Sequence, residues 1–152
     1  MNPFKKIKEK AVALIFEGLS PEKVSLAVTF GVLLGIFPVL ATTSILCLFA
    51  GKVLKLNHIL LQVVNQAVYP LQLLLLIPFI QFGRTLLGKG KTQIGAGDIM
   101  NSLRWGDVSF YTDIAMQQIY GVFFWSLLFL PVFFLIYRIT LKFLKIWVKG
   151  KK

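Results

Sequence analysis

The stretch VSLAVTFGVLLGIFPVLATTSILCLFAG, residues 24–51, carries no charge and is interrupted in its middle by Pro38, with Gly31 and Gly35 before it and Thr42, Thr43 and Ser44 after it. As a helix, Val24 to Phe37 would reach about 21 Å, short of a hydrocarbon core roughly 30 Å thick. Each half is too short to cross a bilayer alone. The pattern predicts a Pro-broken re-entrant helical hairpin over residues 21–51 with its tip near Pro38 to Ser44, a single kinked span being the alternative. Lipid cannot satisfy irregular backbone at such depth, so the tip must be buried in protein or line a wet cavity.

Working outward, residues 56–83 form a second uncharged run that contains Pro70 and Pro78 and reads as one spanning helix of about 42 Å, tilted and kinked. Residues 114–137 form the third, opened by Thr112 and Asp113 as caps and read as spanning despite Pro131. Between them, residues 84–113 are rich in Gly, Asp and Asn and read as an extramembrane connection with one short helix capped by Asp98. At the N-terminus, Phe4, Ile7, Ala11, Leu14 and Ile15 recur at helical spacing among lysines, so residues 1–17 read as an amphipathic helix, lying on a membrane surface or packed on the protein's own core. Its apolar run is too short for a secretory signal and is expected to be retained. Ser20, Pro21 and Glu22 are a helix start: N-cap, first-turn proline and first-turn acid. Residues 138–152 are a basic C-terminal helix. The fold class is thus an all-α integral membrane protein, residues 1–152 forming a single membrane domain.

Composition agrees, since 57% of the residues are hydrophobic and the mean hydropathy is +0.76. A formal charge of +11 would suggest nucleic acid in a soluble protein. Here the basic residues lie outside the three uncharged runs, as membrane topology requires, and no nucleic-acid role is expected. Residues 1–23 carry five Lys against three Glu, the tail from Arg138 six basic residues and no acid, and residues 84–113 four basic residues and three Asp. The positive-inside rule then places both termini, with Lys52 and Lys55, on the cytoplasmic side of the membrane.

Gln62, Asn65, Gln66 and Tyr69 fall at i, i+3, i+4 and i+7 on the second hydrophobic helix and share one face. Amides facing lipid are costly, so this face meets another helix, the hairpin tip or water. Two readings follow: hydrogen-bond glue between helices, or a polar groove completed by Thr42, Thr43 and Ser44 that receives a lipid headgroup, with Lys52, Lys55 and Arg84 near the interfaces to attract a phosphate. Arg138, Lys142, Lys145 and Lys149 draw one basic stripe beside Phe143, Leu144, Ile146 and Trp147, suited to anionic lipid. Gly90, Lys91 and Thr92 resemble the end of a phosphate-binding loop, but Thr85 stands where its first glycine should be. His58 has no ligand-spaced partner, Cys47 is alone in an apolar run, and no acid lies within the uncharged runs. Neither an enzyme, a metal site, a cofactor nor a carboxylate-driven pump is expected.

From Gly18 to about Gly88 the chain resembles a bacterial membrane family designated domain of unknown function 2062. The resemblance rests on Ser20-Pro21-Glu22-Lys23, on Gly31 and Gly35 ahead of Pro38, on Thr42 or Thr43, on Leu56-Asn57, and on Asn65 followed by Pro70 and Gly83. In the family, proline usually follows the membrane asparagine; Gln66 occupies that place here. The resemblance implies no activity, but some relatives look to be joined to glycosyltransferase domains that use polyprenyl-phosphate sugars. It thereby implies envelope work and a lipid-phosphate ligand. The expectation is a module that binds or translocates a lipid, a polyprenyl phosphate or a phospholipid, with a homodimer needed to enclose a path and a glycosyltransferase-type protein as partner. The alternative is a structural module that anchors or organises a partner.

Overall fold

The computed structural model describes residues 19–39, 42–88 and 108–149, together with Gly97. The N-terminal amphipathic segment and most of the connection at 84–113 lie outside the described residues, as does the short helix expected at Asp98. The described residues form four helices: α1, Pro21–Gly35; α2, Thr43–Val53; α3, His58–Leu86; and α4, Val108–Lys149. No strand occurs among them.

Helix α1 starts where Ser20 predicts, the Ser20 hydroxyl accepting from the Lys23 N–H at 3.3 Å with Pro21 in the first turn. It ends because Pro38 has no N–H to continue the ladder and excludes its predecessor from helical backbone. Phe37 N–H therefore falls back to Leu34 O, and Val39 N–H closes onto Phe37 O. Between α2 and α3 the chain reverses in a turn where Leu54 N–H donates to Ala50 O, Leu56 N–H to Gly51 O, and Lys55 takes a φ of 52°. Asn57 then caps α3, its Oδ1 accepting from Leu60 N–H at 2.9 Å.

The contacts fix the directions. Along α1, Gly31 faces Val64 and Gly35 faces Val68, so α1 and α3 run parallel. Helix α4 runs opposite to both: Lys145 meets Glu22 at 2.9 Å, Phe133 meets Phe30, and Trp125 meets Phe37, while Phe124 meets Phe79 and Phe82 on α3. Helix α2 returns antiparallel to α1, with Ser44 beside Gln62 and Asn65 and Gly51 beneath the His58 ring. The α1–α2 hairpin thus begins and ends at the level of the α3 N-terminus and turns beside Gln72. Beyond that residue α3 continues for about another 21 Å.

One difference from expectation concerns α4. It begins at Val108 rather than near Asp113, and it passes through Pro131 and Arg138 to Lys149 as one 42-residue helix. At 1.5 Å per residue the third uncharged run and the basic tail form one rod of about 63 Å.

Among the described residues, Val24, Ala27, Cys47, Leu56, Leu60 and Leu61 form one buried apolar cluster, and Leu33, Leu76, Phe79 and Ile80 are buried as well. Large apolar side chains also cover the outside, among them Ile45 at 67%, Leu74 at 73% and Phe143 at 76% exposed. Helices α3, and α4 over Met116–Trp147, are each long and apolar enough to cross a membrane.

Candidate functional site

The hairpin tip exposes what Pro38 breaks. The carbonyls of Leu33, Phe37 and Val39 lie outside a regular ladder, and side chains from three different elements reach them. Trp125 on α4 donates its Nε1–H to Leu33 O at 3.2 Å. Gln72 on α3 donates from Nε2 to Phe37 O at 2.7 Å and to Val39 O at 3.4 Å. Thr42, at the start of α2, donates its hydroxyl to Val39 O at 3.0 Å. Gln72 is 1% exposed, so these bonds sit where water does not compete.

About two to three turns lower along α3, its amides hold α2. Gln62 donates from Nε2 to Ser44 O at 3.0 Å, and Asn65 donates from Nδ2 to Ser44 Oγ at 3.3 Å. Asn65 is 2% exposed and sits against Gly35, where a Cβ would stand 3.2 Å from its Oδ1. Among the described residues two buried side-chain acceptors have no partner, Asn65 Oδ1 and Gln72 Oε1. Such buried oxygens mark an apolar interior that still has hydrogen-bonding capacity.

The structure therefore divides the polar face predicted on this helix. Gln62, Asn65 and Ser44 come together, with Thr42 and the buried Thr43 at the same end of α2. Gln66 and Tyr69 do not join them; both are exposed on the outer side of α3. Lys52 and Lys55 are exposed at the α2–α3 turn. Arg84 lies at the far end of α3, about 39 Å along its axis from His58. There its guanidinium donates to Gln117 Oε1 at 2.7 Å and lies 5.2 Å from the Tyr120 ring centre.

The basic stripe of α4 forms a second feature. Arg138, Lys142 and Lys145 line, together with Leu141 and Ile146, a shallow open concavity on the α4 surface. Lys145 also pairs with Glu22, and that hydrogen-bonded ammonium holds the Glu22 carboxyl below the usual carboxylate range. The α4 helix reaches Lys149, whose side chain lies outside the described residues.

Gln72 and Trp125 were missed by the sequence reading. A signal for Gln72 was present, since it continues the Gln62, Asn65, Tyr69 spacing by three residues. Trp125 could be found only through the fold, because its partner carbonyl is 92 residues away.

In comparison with known proteins, the family profile described as "Uncharacterized protein conserved in bacteria (DUF2062)" matches residues 5–152. That extends the likeness well past Gly88. No curated protein and no solved structure matches the chain.

Proposed function

The chain belongs to this uncharacterised bacterial family, and we propose that it is an integral inner-membrane module that binds a lipid carrying an anionic phosphate headgroup. The observation that carries the reading is the concavity that Arg138, Lys142 and Lys145 line with Leu141 and Ile146, set just past the uncharged length of α4. A phosphate would meet the cations while the hydrocarbon follows Leu141, Ile146 and the exposed side chains beyond them. Glu22, Lys52, Lys55 and Arg138 all lie at one end of the bundle, as expected of the cytoplasmic interface with both termini inside. The α1–α2 pair, turning halfway along α3, is then the re-entrant hairpin.

In this reading Gln62, Asn65 and Gln72 hold the hairpin, and the ligand's charge is met at the basic concavity. The phosphate could belong to a phospholipid or to a polyprenyl carrier of envelope glycan synthesis; the mass of the retained lipid separates them. A second reading, a structural module that anchors a partner such as a glycosyltransferase, is favoured by the engagement of those amides within the hairpin. Native mass spectrometry of the protein released from nanodiscs of mixed anionic and neutral lipid tests both. Wild type should retain an anionic lipid that Arg138→Gln/Lys142→Gln/Lys145→Gln loses. Equal retention of bulk lipid by the two proteins would exclude this lipid site and leave the anchoring role.

A further inference from the structure

Gln66 is the amide of the predicted polar face that the hairpin does not use. It is exposed on α3, about 12 Å along the helix from His58 and about 27 Å from Arg84, deep within the uncharged length. Its amide has no hydrogen-bond partner among the described residues. In a bilayer, an amide at that depth gains nothing from hydrocarbon and is stabilised by any hydrogen-bonding group on another helix.

We infer that Gln66 marks a twofold interface between two copies of this chain, the Gln66 amides pairing across the axis. The inference rests on the membrane reading above but not on the lipid site. Its occupant follows from the chemistry of the group. A carboxamide is donor and acceptor at once, so two related by a twofold axis satisfy each other with no second kind of residue. Charge complementarity with a different partner has no foothold here, since α3 is uncharged from His58 to Gly83.

The surrounding surface suits the same contact. Val63, Gln66, Pro70 and Leu73 are all exposed and follow the i, i+3, i+7, i+10 spacing along which two helices pack with a shallow left-handed crossing. Ala67, exposed beside Gln66, lets the backbones approach. The contact would leave the α1–α2 hairpin seated against its own α3 and the basic concavity of α4 open.

The test is association of the full chain in lipid vesicles, measured by fluorescence transfer between labelled copies over a range of protein-to-lipid ratios after carbonate extraction has established membrane insertion. Gln66→Leu should weaken association by about tenfold, the size expected of a pair of membrane hydrogen bonds. Because a lipid-facing Leu removes a polar cost, this variant should keep its fold. Under oxidation Val63→Cys should cross-link into dimers and Leu127→Cys on the exposed face of α4 should not; the native Cys47 is fully buried and contributes no background. A wild-type chain that is membrane-inserted yet monomeric at every ratio overturns the interface alone. So does a Gln66→Leu variant that associates as tightly as wild type, or equal cross-linking at Leu127. Release of the chain by carbonate overturns the membrane reading and the interface with it.

Discussion

Glycine to alanine at position 83 sets two effects of opposite sign against each other. Gly83 lies inside α3, where alanine is intrinsically favoured by about 1 kcal/mol. Yet its missing Cβ is where α3 crosses α4: a methyl group there would stand 2.6 Å from the Tyr120 carbonyl carbon and closer still to its oxygen. These are backbone atoms of a helix, so no rotamer change relieves the clash. The carbonyl oxygen, the nearest atom, sets the separation: the helices must part by more than about 1 Å to restore ordinary contact, loosening the Phe79 and Phe82 rings from Phe124 and Arg84 from Gln117. Overpacking of this kind costs about 3 kcal/mol at the upper end of its range, which the propensity gain offsets only in part. The expected net loss is about 2 kcal/mol. Two other glycines calibrate it. At Gly31 the added Cβ meets Val64 Cβ at 2.8 Å and Leu61 O at 3.0 Å, an intermediate case. At Gly121 the nearest atom is Pro38 Cβ at 3.1 Å, a mild contact that the propensity gain should nearly cancel. Reversible unfolding in bicelles, followed by steric trapping, should rank the alanine variants Gly83, Gly31, Gly121 from most to least costly. A Gly83→Ala protein as stable as wild type would refute the close α3–α4 crossing.

The tip carbonyls predict that Trp125→Phe costs more than Gln72→Leu in the same assay. Leu33 O loses its indole donor, a penalty of about 1–3 kcal/mol, whereas Phe37 O keeps Val39 N–H, Val39 O keeps Thr42, and the unpartnered Gln72 oxygen is removed. The reverse order would show that Gln72 bears the tip. Because Glu22 titrates below its ordinary range when folded, its pairing with Lys145 stabilises the protein above the ordinary carboxylate value of about 4.3 and is lost as pH falls through the depressed value. Thermal scans should therefore show a loss between pH 6 and pH 3 that is smaller in Glu22→Gln and smaller in high salt, the pair being exposed; an identical pH profile in the variant would count against the contact. For topology, Lys149→Cys should react with an impermeant maleimide only after cells are opened, and Ser102→Cys in intact spheroplasts; the opposite pattern would invert the orientation.

The parts of this architecture that were legible in sequence are the ones decided within a few residues. Ser20 with Pro21 is a local cap, and Pro38 ends α1 because it lacks an N–H whatever surrounds it; the Asn57 cap of α3 is equally local but went unread. Gly31 and Gly35, small residues four apart, admit a close second helix, but that this helix is α3 is visible only in the fold. What could not be read is the rotation of α3. Periodicity placed Gln62, Asn65, Gln66 and Tyr69 on one side, but α1 and α2 together cover only part of that side. Asn65 falls beneath them, while Gln66 and Tyr69 fall outside. An arc of polar residues on a helix wheel does not say where the neighbouring helices stop. Trp125 shows the same limit from the other direction. It sits in an aromatic row with Phe129 and Phe133 that reads as packing, and its indole N–H matters only because α1 breaks beside it.

The tip also constrains how such a hairpin can persist in an apolar medium. Its carbonyls accept from Val39 N–H and Thr42 within the hairpin, from Gln72 on α3 and from Trp125 on α4, so only the first two donors exist before the helices pack. A hairpin inserted alone would leave Leu33 O unpaired in hydrocarbon, at a cost of several kcal/mol for each such group. Docking onto α3 and α4 removes that cost in the same step that brings Gly31 and Gly35 against Val64 and Val68. Packing and polar satisfaction are thereby coupled at one place in the chain. Helices α3 and α4 can be long, apolar over most of their length and largely exposed because each closes its own backbone ladder. The hairpin, whose own ladder Pro38 interrupts, depends on them for the donors at its tip.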